Sequence, residues 1–109
     1  MSEIKSLIEK IQKFNHDRDW EQFHNPKDLA IALNIETSEL LELFLWKRGD
    51  DVDIEKIKEE LADIFTFALN FAGKFDLDVV TIIEEKMEKN AKKYPVEKAK
   101  GTSKKYDEL

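Results

Sequence analysis

The chain has no cysteine among its 109 residues. This excludes disulfides and thiolate metal sites, and nothing argues for an oxidising compartment. Glycine (3) and proline (2) are nearly as scarce, which speaks against a turn-rich β-sandwich and against a disordered chain. No apolar run approaches the ~20 residues needed to span a bilayer. Met1-Ser2-Glu3-Ile4-Lys5 opens straight into an amphipathic pattern without the character of a signal peptide. A cytoplasmic protein with no membrane partner is therefore expected. Positive charge is in deficit too, with 18 Lys and Arg against 24 Asp and Glu and a formal net charge of −6. That disfavours a nucleic-acid polymer as partner, since such binding draws on counterion release by basic residues. It does not disfavour nucleotides, because metal ions can carry positive charge to a triphosphate.

What is present is helical periodicity. Hydrophobic residues make up 41% and charged residues 39% of the chain, which suits a helix-rich domain with one core. A first helix is expected over 3–17, with Ile4, Leu7, Ile8, Ile11 and Phe14 on one face. The run from Asn15 to His24 then loses the period and gains aromatics, and reads as a structured loop. Trp20 and Phe23 there either plug the end of a bundle or wall a planar ligand. Asn25-Pro26-Lys27-Asp28 starts a second helix with an N-cap, a proline at the first turn and an acid at the positive dipole end. This helix is expected to reach about Lys47, and its apolar residues are spread wider than one helix–helix contact needs. Burial by several neighbours, including a second subunit, is the expectation. Gly49 reads as a stop, and Asp51 or Asp53 as the cap of a third helix over 54–74. A fourth helix follows Asp76-Leu77-Asp78 and ends at Tyr94-Pro95, with Val79, Val80, Ile83, Met87 and Ala91 expected to be buried. The polar stretch beyond reads as a loosely ordered tail, or one draped over a neighbour. The fold class expected is all-α, a four-helix bundle completed by oligomerisation, with a dimer as the minimum.

Two acidic pairs punctuate the second and third helices: Glu36-x-x-Glu39 and Glu60-x-x-Asp63. Residues at i and i+3 are neighbours on a helix, so each pair is a two-carboxylate claw. Two claws on successive helices can face each other across a short break. Charge on a buried face is costly unless paired or bound to metal. With oxygen donors alone and no histidine nearby in sequence, the site selects Mg²⁺ or Mn²⁺ over Zn²⁺. The competing reading leaves these carboxylates on solvated faces beside lysines, in a non-catalytic oligomerisation module. Glu42, Glu55 and Glu59 are expected to be solvated on either reading.

These pairs, separated by residues 40–59, resemble the signature of the MazG-like superfamily of all-α nucleoside triphosphate pyrophosphohydrolases. Arg18-Asp19-Trp20-Glu21-Gln22-Phe23-His24, Phe44-x-Trp46-Lys47, Glu59-Glu60-Leu61-x-Asp63 and Lys86-Met87-x-x-Asn90-x-x-Lys93-Tyr94-Pro95 are similar to its dCTP pyrophosphatase branch. One position departs: that branch carries a histidine in the first helix where this chain has Ile11, and His16 is out of register. The resemblance covers roughly 1–97, leaving 98–109 as a tail. It implies hydrolysis of a (deoxy)nucleoside triphosphate, dCTP-like or modified, to the monophosphate and pyrophosphate, in nucleotide-pool housecleaning. A dUTP-directed or broader specificity is the alternative within that class. Glu36, Glu39, Glu60 and Asp63 would hold Mg²⁺ (Mn²⁺ as substitute), with Glu39 and Glu36 as catalytic carboxylates and Glu39 the one nearest the attacking water. Lys86, Asn90 and Lys93 share a helix face and, with Tyr94, would bind phosphate; the competing reading is a solvated, lysine-rich last turn. Trp20, His24, Trp46 and Asn70 would contact base or sugar, Trp46 foremost. The branch also implies a tetramer.

Overall fold

The structure, a computed structural model, describes residues 2–48 and 51–109. The described residues form five α-helices and no strand, the all-α class expected: α1 (Glu3–Asp17), α2 (Pro26–Glu42), α3 (Ile54–Lys74), α4 (Val79–Lys93) and α5 (Val96–Ala99). Single 3₁₀ turns occupy Glu21–Phe23 and Tyr106–Glu108. The chain divides into two units, one up to Leu77 and one from Asp78 onward.

In the first unit α3 is central, with α1 and α2 both packed on it. Side-chain caps set the helix starts. Ser2 accepts from the Lys5 N–H at 3.1 Å, Asn25 from the Asp28 N–H at 2.9 Å, and Asp53 from the Glu55 N–H at 3.0 Å. Pro26 follows Asn25 at the first turn, where a missing N–H costs no hydrogen bond. Gly73 lets α1 cross α3 closely, since a Cβ there would lie 2.8 Å from Gln12 Nε2 and 3.0 Å from Ile8 Cγ2.

The second helix is shorter than its apolar run suggests. Helical bonding ends at Glu42, and the Phe44 and Leu45 N–H groups reach back only three residues, to Leu41 and Glu42. Trp46 then takes a left-handed φ of 64° and ends the turn. The stop expected at Gly49 lies outside the described residues.

In the second unit Asp78 caps α4 by accepting from the Thr81 N–H at 3.3 Å, and Tyr94-Pro95 ends it. The polar stretch beyond carries two short helical turns. Pro95 precedes the single turn of α5, and Tyr106 packs edge-on to Tyr94 at 6.3 Å.

Few side chains are buried by the chain alone. Leu29 and Ala72 are the buried apolar residues, and Asn15 and Asn70 the buried polar ones. Ile31, Ile35, Leu41 and Phe65 are each about half or more exposed (48%, 51%, 63% and 58%). Val80, Ile83 and Met87, expected in the core, are exposed as well, because the second unit has no other long helix to cover that face of α4.

Candidate functional site

Glu36 lies six residues before the end of α2 (36 to 42), and Glu60 six residues after the start of α3 (54 to 60). They therefore stand at equal height above the connection between two helices that pack together. One carboxylate oxygen each from Glu36, Glu60 and Asp63 falls within 4.8 Å of the others. Glu36 and Glu60 are half-buried and Asp63 is exposed. No lysine, arginine or histidine bridges this group among the described residues; the Lys58 ammonium goes to Glu55 at 3.1 Å instead. Oε2 of Glu36 and Oε2 of Glu60 are fully buried with no hydrogen-bond partner.

Electrostatics follow from that geometry. Burial comes first in pushing the Glu36 pKa up to about 7, then the neighbouring Glu39, Asp63 and Glu60 carboxylates. Glu60 is raised for the same reasons, burial first and then Glu39, Asp63 and Glu59. Glu39 is half-buried and its carboxylate contributes to raising both Glu36 and Glu60, so it borders the trio without belonging to it. Buried carboxylate oxygens with no donor and no counter-charge are unfavourable as they stand. A divalent cation would satisfy them, and an all-oxygen donor set fits a hard ion of the Mg²⁺ or Mn²⁺ type. Glu42, Glu55 and Glu59 are exposed, as solvated residues should be.

Asp63 also lines a cleft of about 500 Å³ between α1, α3 and the loop after α1. Its walls include Ile11, Phe14, Trp20 and Phe67, with His24 and Asn70 as polar members. The loop is ordered by its own contacts. The Arg18 guanidinium sits 3.6 Å over the Phe14 ring and donates to the Phe14 carbonyl at 3.0 Å. Phe14 and Trp20 meet edge-to-face at 5.7 Å, and Gln22 donates to the Asp19 carbonyl at 2.9 Å. The Asn70 side-chain amide nitrogen lies within hydrogen-bonding distance of His24 Nδ1, at 3.3 Å.

The model of the MazG-like family matches residues 31–109. The chain belongs to the MazG-like family. It is 35% identical over 105 residues to dCTP pyrophosphatase 1 of Homo sapiens and 34% identical to dCTP pyrophosphatase 1 of Mus musculus, covering 89% of this chain in both cases. The chain spans 62% of the length of those relatives. A pyrophosphatase of known structure from Archaeoglobus fulgidus superposes with a TM-score of 0.78 at 32% identity, over 87% of this chain and 94% of that one.

Among the candidates read from the sequence of this MazG-like chain, Glu36, Glu39, Glu60 and Asp63 are brought together. Trp20, His24 and Asn70 are gathered in the adjoining cleft. Trp46 is fully exposed (101%) and does not line that cleft. Lys86, Asn90 and Lys93 are exposed along α4, and Tyr94 is half-buried at its end. Lys93 leans on the Tyr106 ring at 4.9 Å, and the Tyr94 N–H donates to the Asn90 carbonyl at 2.8 Å. Asn15, Phe14, Thr66 and Phe67 also line the cleft and did not emerge as candidates from the sequence. For Asn15 a signal existed: it stands one turn after Ile11, so a polar side chain continues the apolar stripe of α1.

Proposed function

We propose that this MazG-like chain hydrolyses a (deoxy)nucleoside triphosphate to its monophosphate and pyrophosphate, with Mg²⁺ or Mn²⁺ as cofactor. The observation that carries the reading is the pair of buried, unpartnered oxygens on Glu36 and Glu60 beside Asp63, at the edge of an aromatic cleft. The likeness to dCTP pyrophosphatases and to a pyrophosphatase structure supports the same reaction.

Glu36, Glu60 and Asp63 would hold the cation. When bound it supplies positive charge to the phosphates and lowers the pKa of water. Glu39, beside the trio, takes the proton as water attacks the α phosphorus. The new bond joins the water oxygen to that phosphorus, and the bond to the bridging oxygen of pyrophosphate breaks. Trp20 offers a stacking face for the base, and His24 and Asn70 present polar groups to base or sugar. A cleft of this volume is in the ordinary range for small-molecule sites, about 300–1,000 Å³. Lys86, Asn90, Lys93 and Tyr94 provide cations and donors suited to phosphate. A dCTP-like or modified nucleotide is the substrate proposed first, in a housecleaning role in the cytoplasm, with no polymer or membrane partner.

We extend the proposal to oligomerisation, a dimer at least and a tetramer by analogy. The half-exposed Ile31, Ile35, Leu41 and Phe65 support it, since such residues in number mark surfaces that associate. Trp46, exposed on a costly left-handed backbone, is the aromatic of the first unit most available to a second copy. Light scattering at micromolar concentration should show a dimer or larger; a monomer would remove this part of the proposal.

The reaction is tested by incubating the protein with Mg²⁺ and a panel of canonical and modified nucleoside triphosphates. Monophosphate and pyrophosphate in equal amounts, lost with EDTA, are expected. Silence across the panel from folded protein, with Mn²⁺ also tried, would favour a non-catalytic binding module.

A further inference from the structure

Asn15 has no part in the chemistry above, yet its surroundings single it out. It lies in the last turn of α1, one turn beyond Ile11, and is only 7% exposed. Its carbonyl is engaged, accepting from the Arg18 N–H at 3.2 Å and the Trp20 N–H at 3.0 Å. Its side-chain amide has no hydrogen bond to any described residue, whereas the other buried amide, Asn70, is tied to His24. Nor are its polar atoms among those sealed from solvent without a partner, so what exposure remains is toward space beside it.

That space is the cleft. Asn15, His24 and Asn70 line both the 500 Å³ cleft and a second of about 530 Å³ on their other side, forming a shared polar wall. A buried amide is unfavourable without partners, and it carries a donor and an acceptor side by side in one plane. Nothing holds it in one orientation, so it can present the two groups in either order. Four of the remaining walls of the cleft are apolar or aromatic, Ile11, Phe14, Trp20 and Phe67, with Lys10, Asp63 and Thr66 completing the lining. A planar ring entering between them would meet the amide edge-on.

We infer that Asn15 is a specificity-determining residue: its amide pairs with the hydrogen-bonding edge of the nucleobase and rejects bases whose edge is blocked. The inference deepens the nucleotide reading above and rests on it. A site built to hydrogen-bond a polar group discriminates strongly against ligands that leave it unpaired, far more than an apolar wall can.

The test compares wild-type protein and Asn15→Ala on dCTP, dATP and dUTP and on their analogues methylated at the base edge (N4,N4-dimethyl, N6,N6-dimethyl and N3-methyl). The wild-type enzyme should turn over its preferred nucleotide with a kcat/KM at least about tenfold above that of the methylated partner. In Asn15→Ala that ratio should fall toward one, with the loss on the unmodified nucleotide carried by KM rather than kcat. The melting temperature of Asn15→Ala without nucleotide should equal or exceed that of the wild type, because no protein partner is lost. A clearly lower melting temperature, or failure to fold, would overturn the inference by showing that the amide serves the fold. A wild-type ratio near one, or one retained in Asn15→Ala, would overturn it while leaving the hydrolase reading intact. Absence of hydrolysis by the wild type would sink both.

Discussion

Asp63 stands where two unlike regions meet, and the two differ in what they leave unsatisfied. On the α2–α3 side, three carboxylates crowd together with buried oxygens that nothing pairs, so like charges repel in the absence of an ion. On the α1–α3 side, the cleft is largely complete in itself. Arg18 covers Phe14, Phe14 meets Trp20, and Asn70 holds His24; one amide is left open. On the function proposed, the first region, frustrated in charge, would take a cation, and the preformed second region would take a flat ring. Substitutions on the two sides should accordingly separate chemistry from binding.

The largest effect is expected from Glu39→Gln. Loss of a positioned proton acceptor should lower kcat by about 10²–10⁴-fold, with KM little changed. Near wild-type turnover in that variant would assign the proton to another group. On the cleft side, Trp20→Ala removes a stacking face worth about 1–3 kcal/mol, so KM should rise by roughly 10–100-fold while kcat holds. Loss of kcat without a change in KM would erase the division between the two regions.

A smaller effect is expected from pH on the metal-free protein. Folding raises the Glu36 pKa from an ordinary 4.5 to about 7 and raises Glu60 as well. The folded state thus binds these protons more tightly than the unfolded chain. The stabilisation they confer is complete below about pH 4.5 and is lost as pH climbs through about 7. Asp17 does not enter this window, since the Lys13 hydrogen bond lowers its pKa from 3.8. In EDTA the melting temperature should fall between pH 5.5 and 8 by a few degrees, and Asp63→Asn should flatten the slope. A rise over that range would mean the carboxylates are not crowded in solution.

Much of this was legible in the residues. α1 and α3 have the bounds expected, because a capping side chain begins each and the apolar period persists to the end. The acidic quartet was readable because i,i+3 pairs on successive helices can only be neighbours if those helices pack. The end of α2 was not readable. Its apolar residues continue through Trp46, yet α-helical bonding gives way after Glu42 to three-residue turns and a left-handed backbone at Trp46, which no local preference announces. The same turn directs Trp46, so nearness in sequence to the acidic helix did not reveal where the ring would stand. Asn15 went unread for another reason. At the end of a helix a polar residue looks like solvated termination, and only the loop folding back through Trp20 and His24 encloses it.

The most direct test of the account compares melting curves of wild-type protein and Glu36→Gln at pH 8, in EDTA and in excess Mg²⁺. Without metal, Glu36→Gln should melt above the wild type, because removing one charge relieves the cluster. With Mg²⁺ at a hundredfold over its Kd, the wild type should gain about 2.7 kcal/mol by mass action and overtake the variant, which gains little. An unchanged wild-type curve in Mg²⁺, or a variant that melts lower than the wild type in EDTA, would contradict the claim that these carboxylates form a cation site.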